Sequence, residues 1–398
     1  MKTIITIFKK ELIDSIRDRR TLIAMVVIPL LLFPVIISIS SKMMMSQIKK
    51  AQEKTIKIGL LTNGNAEAFR QTLLSKAGIQ LIENVTVDSG RTLIEKDSLD
   101  ALIVFDQDFD KQVAALLPGK VAMYFKSTER IEIEKKRLAD LLNGFEQNLR
   151  SLRFKKLNLD EAMVKTVEIA EHNLASPKEK LAEAIGGFLP YLFIFFCFMG
   201  SMYPAVDLAA GEKERGTLET LLTSPAGRFQ ILLGKFGVVV LTGILSAAIS
   251  MLGLYVGIRQ AGEVPPELLQ SILGILAPQS IVLVISLLIP LTVFFAAMLL
   301  SLSIFANSFK EAQSIISSMM IVVIVPAFLG MMPGMSLNTT TALIPILNVS
   351  LATKAIIGGT VAPTILAEVY LSSIILAALS LWICAKTFER ESVIFRGA

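Results

Sequence analysis

The residues best placed to carry chemistry or transmit force sit in one short charged segment, Gly211–Pro225, which reads GEKERGTLETLLTSP between two long apolar runs. It gathers Glu212, Glu214, Arg215 and Glu219, groups that can form ion pairs or cap helix ends. No nucleophile or metal-ligand set accompanies them. The chain has one histidine, His172, which rules out paired-histidine metal motifs and leaves no basis for a histidine relay. Its two cysteines, Cys197 and Cys384, lie inside apolar runs and are expected to be ordinary packing residues. No G-x-x-x-x-G-K-[ST] occurs, and the approach from Gly227 to Gly234–Lys235 has the wrong spacing. The chain therefore lacks a phosphate cradle of its own, and no cofactor and no catalytic residue is expected. The sequence identifies no metal ligands.

Read physically, Gly211 should close one helix. Thr217 can then cap a short new helix, with Glu219 near its positive end. Leu218, Leu221 and Leu222 share one face, and Pro225 and Gly227 end the helix. Leucines and charges exposed together suit docking in a groove of another protein. The alternative is a solvated loop whose leucines rest on the bilayer.

The surrounding elements are those of a polytopic membrane protein. Apolar residues make up 53% of the chain, charged residues 18%, and mean hydropathy is +0.63, more apolar surface than a soluble chain of 398 residues needs. Thr21–Ser41, Ala184–Val206, Phe236–Ile258, Leu268–Phe309, Ala312–Thr353 and Val369–Ala385 contain no Asp, Glu, Lys or Arg. About 20 such residues cross the hydrocarbon core. The expected spans are therefore six: about 21–41, 188–205, 231–258, 281–306, 315–332 and 365–385. Residues 1–20 should form an interfacial helix with Ile5, Phe8, Leu12 and Ile16 on its apolar face and Lys10, Asp14 and Arg17 opposite. Its six cations place both termini and residues 211–225 in the cytoplasm by the positive-inside rule.

Residues 42–183 alternate strand and helix signals: TIKIGLLTN, IQLIENV, DALIVFD and KVAMYFKS read as strands, with long helices after them. This predicts a small α/β domain with a parallel or mixed sheet, inserted between spans one and two on the extracytoplasmic side. Residues 184–398 then hold spans two to six. The piece around Thr340–Gly359 should be re-entrant or interfacial. Charges inside spans are costly, and three stand near span ends: Asp207, Lys235 and Glu368. Snorkelling to the interface or a structural ion pair is the plain expectation for each, and Asp207 and Glu368 are the candidates for a transport pathway.

The segment EKERGTLETLLTSP resembles the signature of the type 2 ABC export permeases, where a coupling helix meets the ATPase subunit. The resemblance extends over the chain: an amphipathic KKELIDSIRDRRTL, six spans and a large insert after the first. DALIVFDQDF and PILNVSLATKAIIGG are similar to the NatB-like, sodium-exporting branch. The resemblance implies that Glu212, Glu214, Arg215, Gly216, Thr217, Leu218 and Glu219 couple to a separate ABC ATPase carrying ATP and magnesium. It also implies a second copy of the chain enclosing a path for sodium or another monovalent cation across the plasma membrane. Membrane lipid is an expected partner and nucleic acid is not. Export of an amphipathic drug, peptide or lipid is an alternative. So is a membrane-anchored receptor or structural protein.

Overall fold

The computed structural model describes residues 1–53, 55–62, 67–76, 78–83, 85–96, 98–126, 132–159, 186–260, 277–332 and 334–389. It divides into two compact units, Met1–Ser41 with Asn173–Ala398, and Lys42–His172. His172, most of the loop expected between spans three and four, and the basic C-terminal tail lie outside the described residues.

In the inserted unit the order is β1 (Ile56–Leu61), α3 (Glu67–Ser75), β2 (Ile79–Ile82), α4 (Val87–Glu95), β3 (Ala101–Phe105), α5 (Phe109–Ala114), β4 (Val121–Phe125) and α6 (Glu132–Leu157). The sheet runs β2-β1-β3-β4. β1 pairs parallel with β2 and β3, with Ile58 opposite Ala101, while β4 is antiparallel to β3. The central strands β1 and β3 are the most buried, and β3 (ALIVF) is covered on both faces, whereas the equally apolar β4 (VAMYF) lies at the edge and exposes Val121 and Ala122. Phe69, Phe105, Phe109 and Phe145 pack on one face, under α3, α5 and α6. Val85, Ile94, Leu99 and Leu102 fill the other. Thr86 and Ser89 form a reciprocal cap that fixes the start of α4.

The helical unit opens with α1 (Lys2–Arg17). Among the described residues six helices are long and apolar enough to cross a membrane: α2 (Arg19–Met43), α7 (Phe188–Glu214), α9 (Arg228–Gln260), α10 (Pro278–Phe305), α11 (Phe309–Leu329) and α14 (Pro363–Phe388). They agree with the expected spans at their centres and differ at their ends. Hydropathy locates the apolar middle, whereas caps set the ends. Thus α11 begins six residues before the expected Ile315, because Ser308 Oγ accepts the Glu311 N–H at 3.2 Å.

The apolar stretch of α7 is 78% buried, against 22% for α2, 22% for α11 and 17% for α14, so α7 is the centre of the bundle. Gly200 of α7 faces Ser246 of α9, and Gly243 of α9 faces Ser201 of α7; neither site leaves room for a Cβ. These small residues let the two backbones approach closely. Between spans five and six lie α12 (Thr339–Ala342) and α13 (Leu347–Gly358). At twelve residues α13 is too short to cross. It is buried among other helices, with Asn348 Nδ2 donating to the Ala342 carbonyl at 3.1 Å and to Ser372 Oγ at 2.9 Å.

Candidate functional site

The predicted knuckle is present, and its construction corrects the sequence reading at two points. The helix of α7 does not close at Gly211. It widens into a π-helical turn over Asp207–Gly211 and resumes as α-helix through Glu212–Glu214. The break comes at Gly216, whose φ of +70° is accessible to glycine at little cost. A second short helix, α8 (Thr217–Leu222), follows. Thr217 is its first residue and not its cap, and its Oγ1 donates back to the Glu212 carbonyl at 3.2 Å.

The second correction concerns the leucines. Leu218 is 2% exposed within the bundle core, and Leu221 packs against the same core. The chain's own helices cover these two positions, and the Leu222 side chain lies outside what the structure describes. The outward surface of α8 is instead Glu219, Thr220 and Thr223.

Each charged residue before Gly216 is likewise engaged within the chain. Arg215 Nη1 meets Asp207 Oδ1 at 2.8 Å, so this transport-pathway candidate is half of an ion pair at the base of the knuckle. Glu214 Oε2 accepts the Phe309 N–H at 2.7 Å, placing a carboxylate on the positive end of α11. Glu212 enters a buried cluster. Lys235 Nζ of α9 lies 2.5 Å from Glu212 Oε2 and 3.8 Å from Glu11 Oε1, and it donates to the Leu208 carbonyl at 2.7 Å. Lys10 Nζ closes the ring at 3.1 Å from Glu11 Oε1 and 3.9 Å from Glu212 Oε1.

Lys235 and Glu11 are each 1% exposed and Glu212 is 5% exposed. Charges at such depth persist only when paired. Burial pushes the Glu11 carboxyl above the usual carboxylate range; the Lys235 ammonium opposes this and Glu212 adds to it. Burial works against the charge of Lys10, but its hydrogen bond to Glu11 and the surrounding carboxylates outweigh that and raise its pKa.

Glu11 is absent from the sequence-predicted site. The buried line of α1 is Ile7, Glu11 and Ser15, one residue off the expected stripe, and Ile5 and Ile16 are exposed at 51% and 48%. Ile7 approaches Gly234 of α9, whose Cβ would lie 2.9 Å from that of Ile7, and Phe8 covers Gly237. A signal existed: Glu11 follows Ile7 by four residues in a helix, and a lysine stands near the start of a span with no sequence-adjacent partner.

Glu368 is not part of this constellation. It sits near the start of α14, whose other end reaches Arg228 at the base of α9 through the Glu389 carbonyl. Twenty-odd helical residues separate the two ends, about 30 Å. Its Oε2 is buried without a hydrogen-bond partner among the described residues. No group of three or more His, Cys, Asp or Glu among the described residues could hold a metal.

The arrangement is a set of ion pairs and a buried leucine that join α1, α7, α8, α9 and α11. A family model described as "ABC-2 family transporter protein" matches residues 19–386. The chain is also 25% identical over 363 residues to "ABC transporter permease protein NatB" of Bacillus subtilis (strain 168), covering 90% of each chain. Such membrane subunits are non-catalytic and work with a separate ATPase. The match over nearly the whole length, together with six helices able to cross a membrane, shows that this chain is a multi-pass permease subunit belonging to the ABC-2 family of transporter proteins.

Proposed function

We propose that the chain is the permease of an ATP-driven exporter working as a homodimer in the plasma membrane, with both termini and the 211–225 knuckle in the cytoplasm. Its cargo is sodium or another monovalent cation. Magnesium and ATP are held by the partner ATPase, and α8 receives the force of ATP-driven closure. The observation that carries this reading is the knuckle itself: Leu218 seats the two-turn helix in the bundle core, Glu214 and Arg215 just before it tie to α11 and back to Asp207 of α7, and Glu219, Thr220 and Thr223 stay free of the core. A partner that grips the outer face would therefore move the bundle and not merely bend a loop.

The cation cargo rests on the resemblance of DALIVFDQDF and PILNVSLATKAIIGG to the sodium-exporting branch. The inserted α/β unit is placed outside the cell by the charge bias of the loops. The exposed Ile5, Ile13 and Ile16 beside Lys2, Lys9 and Arg17 suit α1 to an anionic membrane surface. A second reading, export of an amphipathic molecule, is favoured by an apolar recess between α7 and α11 lined by Tyr191, Phe195, Phe198 and Met320. Membership of the family removes the receptor reading.

The test is flux into inverted vesicles containing the chain and its ATPase. ATP-dependent accumulation of sodium, abolished when the ATPase is inactivated, is the expected result. Accumulation of an amphipathic dye without sodium movement would replace it with the second reading. Glu219→Lys should cut the ATPase stimulation by the permease without altering the thermal midpoint of the purified chain.

A further inference from the structure

We infer that Lys235 is a positioning residue. Through Glu212 and Glu11 it locks the N-terminal helix to the knuckle, so that α1, the base of α9 and the end of α7 move as one body.

Four observations carry this. The first is depth: Lys235, Glu11 and Glu212 are all nearly inaccessible, yet they come from three separate elements. The second is balance. Lys235 is the one buried cation facing the buried Glu11 and Glu212, while Lys10 is half-exposed and shared with the exposed Asp14 at 3.7 Å, so removal of Lys235 leaves two buried carboxylates without a buried counter-charge. The third is the surface that α1 rests on. Gly234 and Gly237 give α9 a smooth strip under Ile7 and Phe8, and a strip without side chains does not fix the position of a helix along it. The fourth is directionality. Lys235 also donates to the Leu208 carbonyl, within the π-helical turn, so its ammonium reaches the backbone that leads into the knuckle as well as the Glu212 side chain.

Apolar residues of similar volume would hold these helices together at least as well. What the ions add is a unique register, the role best attested for buried polar groups. Force arriving at α8 then passes to α1 and α9 together. The inference rests on the coupling reading for its transport consequence, but its structural half stands apart from that reading.

The experiment uses the full chain with its ATPase in lipid nanodiscs and vesicles, comparing wild type with Lys235→Met, Lys235→Arg, and Lys235→Met combined with Glu212→Gln. The rate of tryptic cleavage within residues 9–20 reports how firmly α1 is held, and transport per ATP hydrolysed reports coupling. Lys235→Met should speed cleavage at least tenfold. The double variant removes one charge of each sign, so its thermal midpoint should return towards wild type. Its transport per ATP should stay at least fivefold low, because register is lost although charge balance is restored. Lys235→Arg should retain most of both. Unchanged cleavage in Lys235→Met would overturn the lock, and so would full coupling in the double variant. If wild type transports no cargo, the coupling reading fails while the cleavage arm still decides the lock.

Discussion

The two units of this chain use ion pairs in opposite ways. In the α/β unit Arg70 bridges Glu83 at 2.8 Å and Glu67 at 2.9 Å, and all three side chains are at least 36% exposed. At the charged end of the helical unit, Lys235 and Glu212 are 1% and 6% exposed. The distances are alike and the energetics are not. An exposed pair exchanges water for a partner at little net gain, and salt screens what remains. A buried pair has already given up its water, so loss of one partner strands the other. The α/β unit is held by its aromatic core and decorated with charge. The helical unit is also joined by buried charge, where α1, the end of α7 and the base of α9 meet.

That contrast can be broken or sharpened. The largest effect is expected for Lys235→Met, about 3–5 kcal/mol in the stability of the helical unit, from the stranding of Glu11 and Glu212. A thermal midpoint in detergent, read separately for the two units, measures it, and the α/β transition should not move. Next is Leu218→Ala, about 2 kcal/mol, the low end for a buried leucine because α8 is short and at the periphery. It should loosen the knuckle and lower the stimulation of the ATPase by the permease.

Smaller effects, of opposite sign with pH, are expected from two carboxylates at the start of the chain. Asp18 accepts from Thr21 N at 3.0 Å, Thr21 Oγ1 at 2.7 Å and Arg20 N at 3.2 Å, capping α2. Partial burial works against its charge, but these bonds prevail and hold its pKa below the usual value. Its folded value lies under its unfolded one, so the stability it provides is present above the usual carboxylate range and is lost as pH falls through the folded value. Asp18→Ala should cost about 1 kcal/mol at neutral pH and less in acid. Glu11 is the reverse. Its folded value is raised, so the folded chain binds the proton first, and its contribution to stability falls as pH rises from the usual carboxylate range through the folded value. An acid titration of Glu11→Gln should lack that slope while that of Asp18→Ala keeps it. The smallest effect is Arg70→Ala, for which the midpoint of the α/β unit should not shift measurably, at low or high salt.

What the sequence made legible follows from where the information is stored. Spans and strands are written locally, in runs such as FLPYLFIFFCFMG and ALIVF, and their centres were read without difficulty. The position of Gly216 is legible in the same way, since a glycine before a Thr-led helix is a natural break. Pairings across elements are another matter. Nothing in KKELIDSI says that Glu11 faces inward, because its partner is 224 residues away. Leu218, Leu221 and Leu222 show a shared face but not whether that face turns to a partner or to the chain's own core. Asp207 and Glu368 were linked by composition alone, and the structure puts them at different ends of the bundle.

The widened turn over Asp207–Gly211 has one more consequence. A π-helical turn accommodates an extra residue, and one residue corresponds to about 100° of helical rotation. The wide turn absorbs that residue, so Glu212 keeps nearly the azimuth it would have on an uninterrupted α-helix one residue shorter. Excision of a single alanine here, Ala209 or Ala210, should therefore let the turn tighten with the glutamate still facing its lysine. A second inserted residue would find no slack left and should swing the glutamate about 100° away.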